Sequence, residues 1–180
     1  MSGGDDSASR VREIYKGRVV HLTSERIVLP NGHEMELEIV RHPGAAATVP
    51  LTSAGEVMLI RQYRYAAGGF IYEVTEGKLM EGEPPEVCAA RELTEEAGVV
   101  ARCLTRLASI LTTPGFSDEV IHLFLAEDLV DGRSSHEPDE VITISRHPLA
   151  ECLEMVAKGK IVDAKSVCAL FLADRHLRSR

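Results

Sequence analysis

Three glutamates on one predicted helix have the clearest capacity for chemistry. Glu92, Glu95 and Glu96 stand close together with no lysine among them, and Glu92 and Glu96 are one helical turn apart. Side chains at that spacing lie one above the other, so their negative charges repel each other mildly. Such a face is stabilised by water or by a cation, and Mg²⁺ binds to one or two carboxylates together with substrate phosphates. An ordinary solvated face is the alternative that these residues alone leave open.

The helix that presents these glutamates has recognisable ends. Pro84 and Pro85 suit its first turn, where a missing N–H group costs nothing. Gly98 follows the last apolar position and suits the left-handed conformation that ends many helices. The apolar residues recur at helical spacing, beside the acidic face: Ala89, Ala90, Leu93 and Ala97. We therefore predict a short amphipathic helix that buries one face and presents a row of carboxylates on the next.

Residues 77–99, GKLMEGEPPEVCAARELTEEAGV, resemble the Nudix box, G-x5-E-x7-R-E-U-x-E-E-x-G-U with U an aliphatic residue. Every defined position is matched, by Gly77, Glu83, Arg91, Glu92, Leu93, Glu95, Glu96, Gly98 and Val99. The resemblance implies an α/β fold, an α/β/α sandwich with a mixed β-sheet. It also implies an enzyme that hydrolyses a nucleoside diphosphate linked to another moiety. It implies that Glu92, Glu95 and Glu96 hold Mg²⁺, with Mn²⁺ as a substitute, and that Glu92 and Glu96 are catalytic. Arg91 is expected to pair with box carboxylates such as Glu83.

Besides KGKIVDAKSVCAL at residues 158–170, two stretches outside the box resemble the ADP-ribose pyrophosphatase branch of that family. They are Arg61-Gln62-Tyr63-Arg64 and PGFSDEVIHLFLA at residues 114–126, where Pro114 lies fifteen residues past Val99. The resemblance implies ADP-ribose as substrate and AMP and ribose 5-phosphate as products. Planar guanidinium groups suit a diphosphate, although paired arginines are equally often solubilising. The predicted substrate-binding residues are Arg61, Arg64, Glu73, Phe116, Asp118 and Glu119.

The residues just before the box depart from that branch. The branch usually reads E-x-P-A-G-K, whereas this chain has Glu73-Val74-Thr75-Glu76-Gly77-Lys78. In the resembling enzymes the residue before the box glycine offers its backbone carbonyl to a metal ion. Glu76 is therefore predicted as a further metal ligand through its backbone carbonyl. Its carboxylate side chain stands where the branch usually has alanine.

A polar loop at residues 131–140, DGRSSHEPDE, is long enough to be functional. Its acids are by default solvating charges. In the resembling enzymes such a loop closes over the substrate and supplies the general base. Glu137 aligns best with that base, and Glu140, at the start of the next predicted strand, is the runner-up.

The remaining chain fits a single domain over residues 11–180 after a disordered tail at 1–10. Residues 11–42 form a predicted subregion of strands, at 17–23, 26–29 and 34–40, with a hairpin at Pro30-Asn31-Gly32. By resemblance these strands pair with a second subunit, so we expect a homodimer. Further strands are predicted at 70–75 and 102–111, and helices after Pro148 and Asp163, the segment from 158 to 170 having a packing role only.

The net charge of −8 over 180 residues argues against a nucleic acid or an anionic membrane as partner. An acidic protein that acts on a pyrophosphate must neutralise charge locally, which metal ions and arginines can do. The four cysteines show no C-x-x-C pair, no apolar run approaches membrane-spanning length, and there is no signal peptide. We expect a cytoplasmic protein.

Three alternatives to an ADP-ribose hydrolase are consistent with the sequence. GDP-mannose or another nucleoside diphosphate sugar is the alternative substrate, because nothing in the sequence reads the base directly. A nucleotide-sensing module without turnover is the alternative from a different class, although it usually loses box glutamates. An acidic dimeric scaffold with an incidental motif predicts no thermal shift on adding metal.

Overall fold

A computed structural model describes residues 10–135 and 141–180 of the chain. The described residues form two compact units. The first contains residues 10–42 and 113–119, and the second contains residues 43–112, 120–135 and 141–180. The break near residue 42 coincides with the end of the strand subregion predicted from the sequence.

The first unit contains a three-stranded antiparallel sheet in the order β1-β2-β3. Its strands are β1 (Val11–Lys16), β2 (His21–Val28) and β3 (Glu34–Arg41). The prediction of separate strands at 17–23 and 26–29 is wrong, because the chain turns where the Gly17 N–H donates to Val20 O at 2.8 Å. The predicted hairpin at residues 30–32 is confirmed: Gly32 has a φ of 83°, which a glycine adopts without strain.

The second unit contains two sheets and three helices. Its elements are β4 (Ala45–Pro50), β5 (Glu56–Arg64), β6 (Gly69–Glu73), β7 (Thr75–Lys78), α1 (Pro85–Ala97), β8 (Val99–Leu111), β9 (Val120–Asp131), β10 (Ile142–Pro148), α2 (Leu149–Ala157) and α3 (Ala164–Arg178). The larger sheet has the order β7-β4-β9-β8 and is mixed, since β4 runs parallel to β9 and the other pairs are antiparallel. The smaller sheet has the order β10-β5-β6 and is antiparallel.

Strand β4 shows how the helices cover both faces of the larger sheet. All six of its residues are buried. Ala47 packs in the cluster that contains residues of α2 and α3, whereas its neighbour Ala46 packs against Cys88 and Ala89 of α1. Because successive side chains of a strand point to opposite faces, α1 lies on one face and α3 on the other. The predicted α/β/α sandwich with a mixed sheet is confirmed. No helix in the described part of the chain is long and apolar enough to span a membrane.

Residues 70–75, predicted as one strand, are divided at Val74. Strand β6 pairs with β5 in the smaller sheet and β7 pairs with β4 in the larger one, so the chain passes between sheets at this residue. The Val74 N–H donates to Ser166 Oγ of α3 at 2.9 Å instead of joining a strand ladder. We call residues 73–76 the corner. Asp163 begins α3 as predicted, accepting a hydrogen bond from the Ser166 N–H at 3.0 Å.

Candidate active site

Helix α1 and strand β7 are joined through two of the glutamates singled out above. The Glu76 N–H donates to Glu96 Oε2 at 2.9 Å, and Glu96 is only 4 % exposed. A Cβ atom added to Gly77 would lie 1.8 Å from Glu92 Oε1, so a larger residue at this position would require the carboxylate or the β7 backbone to move. Glu95, on the same helix, is more exposed. Predicted metal ligands at 76, 92 and 96 are thus neighbours in the structure.

Arg91 ties the loop before α1 to the glutamates. Its guanidinium makes two hydrogen bonds to Glu83, at 3.0 and 3.1 Å, and one to Lys78 O at 3.2 Å. It also contacts Glu92 and lies 3.1 Å from Glu95 Oε2. The expected pairing of Arg91 with box carboxylates is confirmed.

The protonation behaviour of these acids follows from their surroundings. Hydrogen bonds from Arg91 and from the Met80 N–H lower the pKa of Glu83 to about 2. Burial raises the pKa of Glu92, and the ion pair with Arg91 opposes this only in part. Burial likewise raises the pKa of Glu76. Two carboxylates beside the β7 backbone are therefore poorly stabilised by protein groups alone.

We expect Arg91→Met to lower the free energy of unfolding at neutral pH by about 2 kcal/mol. The folded pKa of Glu83 lies below its ordinary value of 4.5, so its contribution is full above that pH and is lost as pH falls toward about 2. The difference between variant and wild type should shrink across this range. Urea unfolding at several pH values measures it.

The control for that experiment is Arg106→Met. Arg106 pairs with Glu86 of α1 at 3.8 Å, and both side chains are about half exposed. Such a pair contributes at most about 1 kcal/mol. An Arg91→Met penalty that stays constant with pH would contradict the role given to Glu83.

A second charged cluster lies at the corner and includes a lysine that the sequence analysis missed. Lys165 Nζ lies 2.7 Å from Glu73 Oε1, 3.0 Å from Asp163 Oδ1 and 3.8 Å from Glu76 Oε2. Arg64 Nε contacts the other Glu73 oxygen at 2.9 Å. Burial acts to lower the pKa of Lys165, but the three carboxylates outweigh it and raise that pKa.

A signal for Lys165 was present in the sequence. A cation in the first turn of a helix opposes the helix dipole, so it indicates a nearby carboxylate partner. Lys165 stands two residues after the predicted cap Asp163. Assigning residues 158–170 to packing alone overlooked this residue.

The two predicted arginines are not brought together. Arg61 and Arg64 are three residues apart on β5, so their side chains leave opposite faces of the strand. The Arg61 guanidinium lies 4.5 Å above the Phe70 ring and has no ion pair among residues 10–135 and 141–180. Glu73 is buried and engaged by Arg64 and Lys165. Arg64 therefore shares the corner with the predicted metal ligands, and Arg61 does not.

The remaining predicted site residues are not part of the described second unit. Phe116, Asp118 and Glu119 belong to the first unit, where Asp118 accepts hydrogen bonds at 2.8 Å from both Arg41 Nη1 and the His42 N–H. Phe116 is exposed. Glu137 and Glu140 fall outside the described residues. Their roles stay predictions.

The arrangement of acids suits a hard divalent cation by its chemistry. Seven carboxylates linked by these contacts face three cationic side chains, Arg64, Arg91 and Lys165, and all the donors are oxygen atoms, which Mg²⁺ prefers. The seven are Glu73, Glu76, Glu83, Glu92, Glu95, Glu96 and Asp163. As the side chains stand, no three His, Cys, Asp or Glu in the described ranges converge on one ion position. Binding of a metal thus requires side-chain adjustment, with Arg91 yielding part of its hold on Glu92 and Glu95.

A cavity of about 530 Å³ opens elsewhere in the second unit. Its lining includes Met58, Val99, Arg102, Asp128 and Arg146, and none of the glutamates of α1. We assign the candidate site to the carboxylates rather than to this cavity, because none of the box glutamates lines it.

Comparisons with known proteins agree with the geometry. The model of the NUDIX domain matches residues 41–170. The chain is 38 % identical over 172 residues to the ADP-ribose pyrophosphatase of Bacillus subtilis (strain 168), covering 94 % of this chain and 93 % of that protein. It is 37 % identical over 168 residues to the methanol dehydrogenase activator of Bacillus methanolicus, covering 92 % and 91 %. The crystal structure of an ADP compounds hydrolase superposes with a TM-score of 0.82 at 25 % identity, covering 94 % of this chain and 92 % of the other.

Proposed function

The chain belongs to the Nudix hydrolase family, and on that premise we propose that it hydrolyses the pyrophosphate bond of a nucleoside diphosphate sugar. ADP-ribose is the favoured substrate, with AMP and ribose 5-phosphate as products. The observation that carries the proposal is the junction of α1 and β7, where Glu92 and Glu96 lie against the backbone of residues 76 and 77. The sequence identity of 38 % to an ADP-ribose pyrophosphatase supports the substrate class.

Glu92, Glu95 and Glu96 would hold divalent cations, together with the backbone carbonyl of Glu76. Mg²⁺ is the proposed ion, with Mn²⁺ as a substitute. When bound, such ions neutralise pyrophosphate charge and lower the pKa of a coordinated water molecule. The excess of carboxylates over cationic side chains around the junction supports this ligand set, because buried like charges need a counter-ion.

The remaining roles fall to cationic and acidic side chains. Arg64, held at the corner by Glu73, is proposed to bind the diphosphate through its outer edge. Glu137 is proposed as the general base that takes a proton from the attacking water, with Glu140 as the alternative. Arg61, Phe116, Asp118 and Glu119 keep their predicted contacts with substrate.

The proposal is tested by turnover on ADP-ribose, GDP-mannose, UDP-glucose and NADH with Mg²⁺, measured as the phosphate that an added phosphatase releases from the phosphomonoester products. We expect kcat/KM for ADP-ribose to exceed that for the other nucleotides by about tenfold or more, a difference that a few specific contacts supply. Glu137→Gln should lower kcat by about 10²–10⁴-fold, because a positioned general base contributes that much.

The matched control is Glu140→Gln, which should retain most activity. Activity that survives Glu137→Gln and fails in Glu140→Gln would move the base to Glu140. A preference for GDP-mannose would overturn the choice of sugar but keep the reaction. Absence of turnover on all four nucleotides, with ADP-ribose still bound, would favour a sensor.

We further propose a homodimer formed through the strands of residues 11–42, and a cytoplasmic location. Several apolar side chains of these strands are exposed, including Val11, Ile14 and Tyr15, which supports a covered surface. Light scattering of the purified chain decides the oligomeric state, since a monomer mass would exclude the dimer.

A further inference from the structure

We propose that Lys165 is a positioning residue for substrate binding: by neutralising Glu73 from α3, it leaves the guanidinium of Arg64 available to a diphosphate. This inference rests on the proposed function, in which Arg64 meets an anionic substrate. It gives a role to a buried cation that neither the box nor the mechanism above uses.

The geometry divides Glu73 between two cations. Arg64 approaches one edge with Nε at 2.9 Å from Oε2 and with Nη2 at 3.4 Å from Oε1, while Lys165 Nζ is closer to Oε1, at 2.7 Å. The Glu73 side chain is 3 % exposed and that of Lys165 is 8 % exposed, whereas the Arg64 side chain is 39 % exposed. The Nη1 group of Arg64 makes no hydrogen bond to any described residue. The buried carboxylate thus has a buried cation of its own, and the arginine faces outward.

The charge balance shows what the lysine contributes. With Lys165 present, two cations share the single negative charge of Glu73. Glu73 therefore offsets only part of the electrostatic attraction between Arg64 and an anionic ligand. Without it, Arg64 would be the sole partner of a buried carboxylate, an arrangement in which a charge-assisted pair is held tightly. Glu76 and Asp163 would also lose their shared counter-ion. A diphosphate would then be repelled more strongly by the carboxylates of the corner, and Arg64 would be more tightly paired with Glu73.

A divalent cation would respond in the opposite direction. Removing one positive charge near Glu76 strengthens the electrostatic attraction of this carboxylate for Mg²⁺ or Mn²⁺. A purely structural role for Lys165 predicts something else, because a disturbed corner would weaken metal binding and substrate binding together. The two readouts therefore separate the roles.

The test is Lys165→Met, assayed for KM and kcat with ADP-ribose, for ADP-ribose binding in EDTA by calorimetry, and for Mn²⁺ affinity without substrate. We expect KM and the dissociation constant to rise about tenfold, the effect of about 1.4 kcal/mol. We expect kcat to change by less than about threefold and Mn²⁺ affinity not to fall. Lys165→Arg, which keeps the charge, should recover most of the affinity.

A second variant protects the test against misfolding. Adding Glu73→Gln to Lys165→Met removes the charge that the lysine neutralises, so ADP-ribose affinity should return toward the wild-type value. The matched control is Lys158→Met, which removes an exposed lysine paired with Glu154 at 3.3 Å and should change nothing.

Three results would overturn the inference. They are an unchanged KM in Lys165→Met, a parallel loss of Mn²⁺ affinity, and a double variant that is no better than the single one. Failure of the proposed function is distinguishable, because the wild-type chain would then show no turnover. The binding measurement in EDTA would still report on Lys165 in that case.

Discussion

Replacing Glu96 with glutamine is expected to lower kcat for ADP-ribose by about 10²–10³-fold or more, the cost of losing one preorganised electrostatic contact in a transition state. Glu96 is 4 % exposed, and its Oε2 accepts the Glu76 N–H at 2.9 Å. A glutamine oxygen can accept the same hydrogen bond. The substitution therefore removes the charge and leaves the junction of α1 and β7 in place.

Three measurements make this test specific. Turnover is measured at saturating Mg²⁺, thermal unfolding reports whether the fold is kept, and calorimetry reports ADP-ribose affinity. Glu86→Gln is the matched control, because it lies on the same helix with its side chain 53 % exposed. Turnover that is unchanged in Glu96→Gln, with the melting temperature also unchanged, would remove Glu96 from the chemistry. Loss of turnover with ADP-ribose affinity retained is the expected pattern.

Gly77→Ala is expected to lower turnover by about 10²-fold and also to destabilise the fold by about 1–3 kcal/mol, as overpacking does. The added Cβ atom would lie 1.8 Å from Glu92 Oε1 and 1.9 Å from its Cδ. Either the carboxylate leaves its position or β7 moves away from α1. In both cases Glu92 and the carbonyl of residue 76 no longer face a common ligand.

A double variant separates the clash from the lost chemistry. Glu92→Ala removes the side chain that the new methyl group meets, so Gly77→Ala with Glu92→Ala should recover stability in urea unfolding but not turnover. Gly115→Ala is the control, since an added Cβ there has no atom within 4 Å. Full activity in Gly77→Ala would show that Glu92 can act from another position.

Local signals in the sequence were sufficient for the helix that carries the site. Pro85 begins α1, and Gly98, with a φ of 65°, ends it. Both are single-residue backbone preferences, which need no knowledge of the rest of the fold. The position of Glu92, Glu95 and Glu96 on one face of that helix followed from the helical repeat of 3.6 residues per turn. The pairing of Arg91 with Glu83, which lies outside the helix, was instead predicted from the resemblance to the box.

Features that depend on distant residues were not predictable in this way. Residues 70–75 look like one strand, yet the chain changes sheets at Val74 because Ser166, 92 residues later, accepts its N–H. The role of Lys165 depends on the same distant approach. The turn at Gly17 was misplaced because Val19 and Val20, whose β-branched side chains favour strands, follow closely after it. Neither the partners of Glu73 nor the separation of Arg61 from Arg64 can be read from spacing without the sheet register.

The contacts of α3 with the corner, through Ser166 and Lys165, have a consequence for how the protein becomes active as it folds. Glu73 and Lys165 are 92 residues apart, so this contact has a high contact order and forms late. Synthesis proceeds from the N-terminus, so α3 leaves the ribosome later than the elements β1 to α2 that precede it. Until it docks, Glu73 and Glu76 stay hydrated and the Val74 N–H exchanges with solvent. We therefore expect helix α1 to form early and the corner to become ordered only when α3 docks, which pulsed hydrogen exchange at the Val74 N–H would follow directly.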